Sequence, residues 1–427
     1  MVLEGRDSPL HRPLLALLSN VGLTPRSVLR LPSGGWIFTL WLRRPSRVKK
    51  FGFSLHVDVD VIRKCCFLDM TTLPPLPLKN PAALDCREVW AALTEAHRQV
   101  AELKGLCESL PNQGILLDTL SIQEAKDSSE IENIITTHDE LFVSDEDSAA
   151  SPAAKEVRHY VSALRVGFAA VRCEGLIRLD TLLAVQAELE QNRAGLRSLP
   201  GTVLKNEATG EVIYEPPQDA REVAALMANL IDFIHADDGL DPLLRMAIAH
   251  HQFESIHPFY DGNGRTGRIL NLLILQREGL LDLPVLYLSR YITTTKSDYY
   301  RLLQTVREED RWVEWCLYLL RGVALAGRSA ISLVKQLRDL MQKTQQDLRE
   351  QLPKIYSQDL LNNLFRYPYT KIEFVERELG VSRVTAGKYL DLLAAAGFVR
   401  KQRLGKTNFY LNKPLLALLS NVSLTPP

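Results

Sequence analysis

His257-Pro-Phe-Tyr-Asp-Gly-Asn-Gly-Arg-Thr-Gly-Arg268 is the stretch in which the chain is most explicit about its structure. A residue ahead of proline avoids the right-handed helical region, so a helix arriving through Leu244, Ala247, Ile248 and Phe253 has to stop at His257. Gly262 and Gly264 allow a tight turn free of side chains. The apolar positions Ile269, Leu270, Leu272, Leu273 and Leu275 then mark a second helix beginning near Gly264. In a helix–loop–helix of this kind the loop amides and the positive end of the second helix converge on one point, which suits an anion and phosphate above all. Arg265 and Arg268, at i and i+3, lean over that same point. His257 has an ordinary pKa near neutrality and can take a proton from a hydroxyl. Asp261 offers a hard oxygen to Mg2+, which binds through one or two carboxylates plus substrate phosphates. Phe259 is expected to pin the loop into the core, and the Asn263 side chain and the backbone at Gly262 and Gly264 to donate to phosphate oxygens.

Outward from this loop the pattern is helical almost everywhere. Residues 221–236 and 242–255 read as helices, the second with Pro242 early in it, where proline is tolerated. Upstream, a Pro-rich opening (LPPLPL, from Leu73) precedes a helix through Val89, Leu93, Ala96, Val100 and Leu103. Ser144 to Ala154 is acidic and small and reads as a surface loop, with helices resuming at Val157 and running to about Gln191. Between Pro200 and Pro217, β-branched residues flank an Asn/Thr/Gly-rich turn, the signal of a β-hairpin. Long helices continue to about Leu352. From Tyr367 to Leu411 the order is helix, turn at Gly380-Val381, a helix capped by Ser382 and ended by Gly397, then two alternating segments around Leu404-Gly405. That is the order of a winged helix-turn-helix. Arg383, Lys388, Arg400, Lys401, Arg403 and Lys406 give residues 382–406 a basic surface suited to DNA phosphates; protein docking or homodimer formation is the other use of such a module. The fold class is mainly α, with a hairpin and a C-terminal winged helix-turn-helix.

Composition narrows the classes. A chain of 427 residues with zero formal net charge suggests two or three domains and gives no global sign of nucleic-acid binding. The six cysteines form no CxxC pair and no His-containing metal spacing, which weighs against zinc sites and disulfide frameworks. No run of about 18 uncharged apolar residues suggests a membrane span, and no cleavage-site pattern suggests a secretory signal; the expectation is a cytoplasmic protein. Residues 1–69 are a patchy mixture in which no domain is recognised, with a basic cluster at Arg43, Arg44, Arg47, Lys49 and Lys50. PLLALLSNVGLTP at Pro13–Pro25 recurs as PLLALLSNVSLTP at Pro414–Pro426, differing only at Gly22 against Ser423. Copies so far apart cannot stack as solenoid neighbours. The expectation is that 1–69 is a disordered or spurious extension, duplicated nucleotide sequence read into both ends, ahead of a functional start at Met70, with a targeting arm as the alternative; peptides from 1–69 in native protein would overturn the spurious reading.

HPFYDGNGRTGR resembles the Fic signature HPFx[D/E]GNGRxxR at every specified position. The resemblance implies a Fic helical core with a β-hairpin flap and a protein adenylyltransferase: His257 takes the proton of a Ser, Thr or Tyr hydroxyl of a target protein, which attacks the α-phosphate of ATP and expels Mg-pyrophosphate. It implies ATP contacts from Glu132, His257, Gly262, Asn263, Gly264, Arg265, Thr266, Gly267 and Arg268, with Mg2+ at Asp261. Ser128-Ser-Glu-Ile-Glu132-Asn133 resembles the family's inhibitory motif [S/T]xxxE[G/N], in which Glu132 pairs with Arg268 and keeps the ATP γ-phosphate from seating. A second role for Glu132, positioning a water that removes AMP, stays open. The hairpin corresponds to the flap that aligns the target by strand addition, so Val212, Ile213 and Tyr214 would border ATP. Tyr299 and Tyr300 resemble residues lining the adenine pocket, although aromatic core is an equal reading for either. Some relatives carry Asn where this chain has Arg307. The division expected is 1–69 unassigned, 70–156 the N-terminal helical region with the inhibitory helix, 157–325 the catalytic core, 326–355 a connecting helix, 356–412 the winged helix and 413–427 a tail. A DNA-binding regulator whose core only senses nucleotide is the competing reading.

Overall fold

A computed structural model describes residues 23–30, 36–42, 53–57, 73–109, 113–136, 151–205, 209–404 and 407–420. The chain divides into two compact units, 1–72 and 73–427. In the first, three strands, β1 (Leu23–Arg30), β2 (Trp36–Leu42) and β3 (Phe53–Val57), pair antiparallel in the order β1-β2-β3, a sheet the sequence reading did not anticipate. The basic cluster at 43–50 lies outside the described residues.

The second unit is a helical body. Its helices are α1 (Arg87–Glu108), α2 (Gly114–Ile131), α3 (Pro152–Glu174), α4 (Leu179–Glu190), α5 (Ala220–His235), α6 (Pro242–Ile256), α7 (Asn263–Arg277), α8 (Leu288–Thr294), α9 (Lys296–Glu309) and α10 (Trp312–Gln351), with a short hairpin of β4 (Leu204–Lys205) and β5 (Val212–Tyr214) between α4 and α5. Helix α3 begins at Pro152 with the Ser151 hydroxyl capping the Ala154 N–H, so the expected loop ends three residues earlier than its composition suggested; residues 144–150 lie outside the described residues. Two expected boundaries, after 156 and after 325, fall inside the continuous helices α3 and α10.

Helix α6 is the axis of the body. The sequence marks one apolar side, but every residue from Leu243 to Ile256 is buried, because α5, α7 and α10 all pack on it. Both of its histidines find internal partners: His251 the Leu303 carbonyl at 3.1 Å and His250 the Tyr299 hydroxyl at 2.9 Å. Helix α10 is long and apolar enough by composition to cross a membrane, yet 72% of that window is buried inside the fold, much of it against α1.

The C-terminal segment continues from α10 as α11 (Gln358–Arg366), β6 (Tyr369–Thr370), α12 (Ile372–Leu379), α13 (Arg383–Ala395), β7 (Arg400–Leu404) and β8 (Thr407–Leu411), the strands in the order β6-β8-β7. Gly380 takes φ 64° to end α12, and Ser382 caps α13; the turn at Gly405-Lys406 lies outside the described residues. The expected tail instead opens with α14 (Lys413–Ser420), begun by the Asn412 carboxamide accepting from the Leu415 N–H and docked through fully buried Leu415 and Leu419. The first copy of that repeat, up to residue 22, lies outside the described residues.

Candidate active site

Helix α6 ends where proline demands. His257 closes the last turn, its N–H donating to the Phe253 carbonyl at 3.0 Å, and then adopts φ 49° and ψ 61°, a left-handed conformation uncommon for a non-glycine residue. The loop behind it is clasped by Asn263. Its carboxamide accepts from the Phe259 N–H and donates to the Phe259 carbonyl, both at 2.8 Å, and Phe259 is fully buried beside Phe253. The Asn263 side chain, expected to donate to phosphate, here uses its oxygen and one N–H to hold the turn. Burial pulls the His257 imidazole down to about 4, helped by the nearby Arg197 and Arg307 cations, so the ring is neutral at physiological pH and has a lone pair to offer.

Gly262, with φ 75°, caps α7. A Cβ there would stand 2.4 Å from Glu190 Oε1. The first intrahelical bond of α7 runs from the Thr266 N–H to the Gly262 carbonyl, which leaves the N–H groups of Asn263, Gly264 and Arg265 as the open positive end of the helix. Arg265 gives each of its three nitrogens to a different carboxylate: Nε to Glu132 at 2.8 Å, Nη1 to Glu156 at 2.5 Å and Nη2 to Glu190 at 2.8 Å. Arg268 donates from Nε to the Ser128 hydroxyl at 2.7 Å, and from Nη2 to the Ser128 carbonyl at 3.0 Å and Glu132 at 2.6 Å. Glu132 thus bridges both arginines. A Cβ on Gly264 would lie 2.6 Å from Glu132 Oε1, so glycine is what lets the carboxylate come so close.

Glu132 is delivered by the end of α2. Asn133 takes φ 63°, its N–H bonds to the Glu130 carbonyl, and the Ile134 N–H bonds back to the Ser129 carbonyl, each at 3.0 Å. This is a Schellman termination, which asks for Gly or Asn at the left-handed position. Lys296 ties down the same residue by donating to Asn133 Oδ1 at 3.0 Å.

These groups line a cavity of about 910 Å³ together with Val203, Leu204, Lys205, Ile213 and Tyr214 of the hairpin, Glu254 of α6, and Tyr299, Tyr300, Leu303 and Arg307 of α9. Several expected contacts are not on its wall. Val212 is half-exposed and does not line the cavity. Thr266 is fully buried, and Gly267 faces α6, where a Cβ would meet Glu254 Oε1 at 2.7 Å. Tyr299 and Tyr300 do reach the wall: Tyr299 is otherwise buried, its hydroxyl bonded to His250, whereas Tyr300 is half-exposed. Asp261 sits exposed at the mouth, one oxygen accepting from the Gly262 N–H at 2.7 Å. The second oxygen suits Mg2+ arriving on a nucleotide; among the described residues no cluster of three or more His, Cys, Asp or Glu could hold a metal by itself.

The sequence reading missed Glu156, Glu190, Glu254 and Arg197, none of which falls in a recognisable motif. Arg307, singled out only as a departure, stacks its guanidinium 3.8 Å over the Tyr214 ring and donates to the Ser255 hydroxyl at 3.0 Å.

A mainly helical body thus brings a neutral histidine and the open start of a helix to one cavity, the helix–loop–helix class of site expected from the sequence. The chain belongs to the Fic/DOC family: the Fic/DOC family model matches residues 176–275, the Fic/DOC N-terminal model 90–169, and the model for the C-terminal domain of SoFic-like protein adenylyltransferase 340–415. It is similar to protein adenylyltransferase fic-1 of Caenorhabditis briggsae, 36% identical over 20% of this chain and 16% of that protein. It is also similar to a uridine 5'-monophosphate transferase of Xanthomonas campestris pv. campestris, 28% identical over 33% of this chain and 28% of that one. These alignments span less than a third of either relative. Among solved structures, a Fic family protein from Desulfovibrio desulfuricans G20 aligns over 79% of this chain and 98% of that one, at 21% identity and a TM-score of 0.49.

Proposed function

We propose that this protein transfers AMP from ATP to a hydroxyl side chain of a target protein. The observation that carries the reading is the juxtaposition, in one cavity, of neutral His257 with the open start of α7 and the Arg265–Arg268 pair. The hydroxyl oxygen of a Ser, Thr or Tyr attacks the α-phosphorus and its proton passes to His257. The bond from the α-phosphorus to the bridging oxygen breaks, and pyrophosphate leaves. The α7 amides and Arg268 stabilise charge building on the phosphate oxygens, the usual source of rate in such transfers. Asp261 would hold Mg2+, which supplies charge neutralisation on the departing pyrophosphate. The hairpin edge offers strand addition to the target segment.

Glu132 is the inhibitory element. It occupies donors of both arginines that a phosphate would need, and a carboxylate and a phosphate compete for the same guanidinium fork. The test is self-modification with ATP labelled at the α-phosphate, comparing wild type, Glu132→Gly and Glu132→Gly/His257→Ala. Label in the single variant that disappears in the double supports both roles. Label from the γ-position alone makes the protein a kinase, and preferential label from UTP would make UMP the transferred group. If no label transfers, the regulator reading leads. In that reading residues 382–406 contact DNA, but Arg383 is paired with Glu373 at 3.2 Å and Lys401 with Asp391 at 2.8 Å, which draws down the basic surface.

A further inference from the structure

Arg197 stands outside every motif, yet it is among the largest fully buried side chains, 2% exposed. All its hydrogen bonds go to main-chain carbonyls. Nε donates to His257 O at 2.8 Å, and Nη2 to Ile256 O at 3.2 Å and to Pro217 O. Its own N–H donates to Pro258 O at 2.8 Å. The acceptors fall into two groups. Ile256 and His257 are the end of α6, whose last carbonyls have no intrahelical partner and form the negative pole of the helix. Pro217 is the base of the hairpin that carries Ile213 and Tyr214 to the cavity. The segment following Arg197 is laced to the same two parts: the Ser198 and Leu199 N–H groups donate to the Tyr260 hydroxyl at 2.9 and 3.1 Å, and the Gly201 N–H to Gln218 Oε1 at 2.7 Å.

We propose that Arg197 is a positioning residue for the transfer reaction: one guanidinium fixes the left-handed backbone of His257 and ties it to the base of the flap. The base and the strand that presents the target hydroxyl then share a single anchor. Left-handed backbone at a non-glycine residue persists only where its surroundings over-determine it, and the guanidinium supplies that restraint at the His257 carbonyl itself. Its charge has a second effect, since a cation beside the imidazole helps to keep it neutral. Phosphate contacts, by contrast, come from the start of α7 and from Arg268, which Arg197 does not touch among the described residues.

This inference rests on His257 being the base, so the test is run in the full-length Glu132→Gly protein with α-labelled ATP. If that parent incorporates no label, the transferase reading fails on its own account. With an active parent, Arg197→Lys and Arg197→Met are compared for ATP binding by calorimetry, rate of self-modification and pH dependence. Expected are unchanged ATP affinity and a rate reduced about 100-fold in both, the usual cost of misplacing a reacting group by about 1 Å. The acid limb should stay in place for Lys, which keeps the charge, and move to higher pH for Met, which removes it. A rate equal to the parent's in Arg197→Met would overturn the proposal. So would loss of ATP binding in parallel with rate in both variants, because that would show a general structural role.

Discussion

At His257, burial and two cations act on one imidazole in the same direction, and the result is a base that is neutral well below physiological pH. Activity of the Glu132→Gly protein is accordingly expected to rise with pH through about 4 and to be level from there to neutrality, read as the pH dependence of kcat/KM. His257→Ala in that background should cost about 10²- to 10⁴-fold in rate, the range for losing a general base, with ATP binding intact. Gly262 is the second residue whose identity is set by local geometry. Its φ of 75° and the Glu190 carboxylate 2.4 Å from a Cβ mean that Gly262→Ala strains the backbone by about 1–2 kcal/mol and pushes Glu190 off Arg265. A lower Tm together with slower transfer is the expected result, measured by calorimetry and label incorporation.

Among the elements, α2, like α6, buries many polar residues. Ser121, Gln123, Glu124, Asp127, Ser128 and Ser129 are each no more than 4% exposed. Glu124 accepts from the Ser289 amide at 3.2 Å and from the Ser289 hydroxyl, and the Asp127 carbonyl accepts from Thr293 at 3.1 Å, so hydrogen bonds to α8 add to the apolar burial of Leu116, Leu120 and Ile131 in seating α2. Such contacts add about 0.5–1.5 kcal/mol each and fix the seating of the helix geometrically. Its terminus is the sensitive point. Asn133→Gly keeps the left-handed turn and should leave basal transfer as it is. Asn133→Val cannot adopt that turn without strain, so Glu132 should lose its aim and basal incorporation of label should rise about fivefold, the effect of roughly 1 kcal/mol of lost coupling.

In the whole molecule, α2 lies between the body and the C-terminal segment. Ile122 packs against the cluster of Tyr369 and Phe409 in the β6-β8-β7 sheet, and α11 also lies on α2. Ile122→Asp is expected to loosen this seating and raise basal transfer while lowering Tm; unchanged incorporation would show that α2 is held by the body alone. Buried titratable groups set the pH range of stability. His250 and His257 are pulled to about 3 and about 4, below the unfolded value near 6.5, so their contribution is complete above that value and is lost as pH falls through 4 towards 3. Glu124 and Glu254 are pushed up to about 7 by burial, above the unfolded value near 4.3; their contribution is complete at low pH and is lost as pH rises through 7. Thermal stability should therefore peak at about pH 5–6 and decline on both sides, a profile that calorimetry across pH would check.

The sequence alone determined the helix–loop–helix at 257–268, because proline, glycine and apolar period act locally, and it marked His257, Asp261, Arg265, Arg268 and Glu132 through motif spacing. It also located the hairpin and the order of the C-terminal helices and strands from turn residues and caps. Tertiary structure alone decided which donors face the cavity. Asn263 and Tyr299 lie at the wall but spend polar groups on Phe259 and His250, while Thr266 is buried and Gly267 faces α6. Glu156, Glu190 and Arg197 reached the site from distant segments that carry no local signal. The physical reason is that backbone conformation is written in neighbouring residues, whereas the partner of a buried charge is chosen by whatever the packed helices bring within about 3 Å of it.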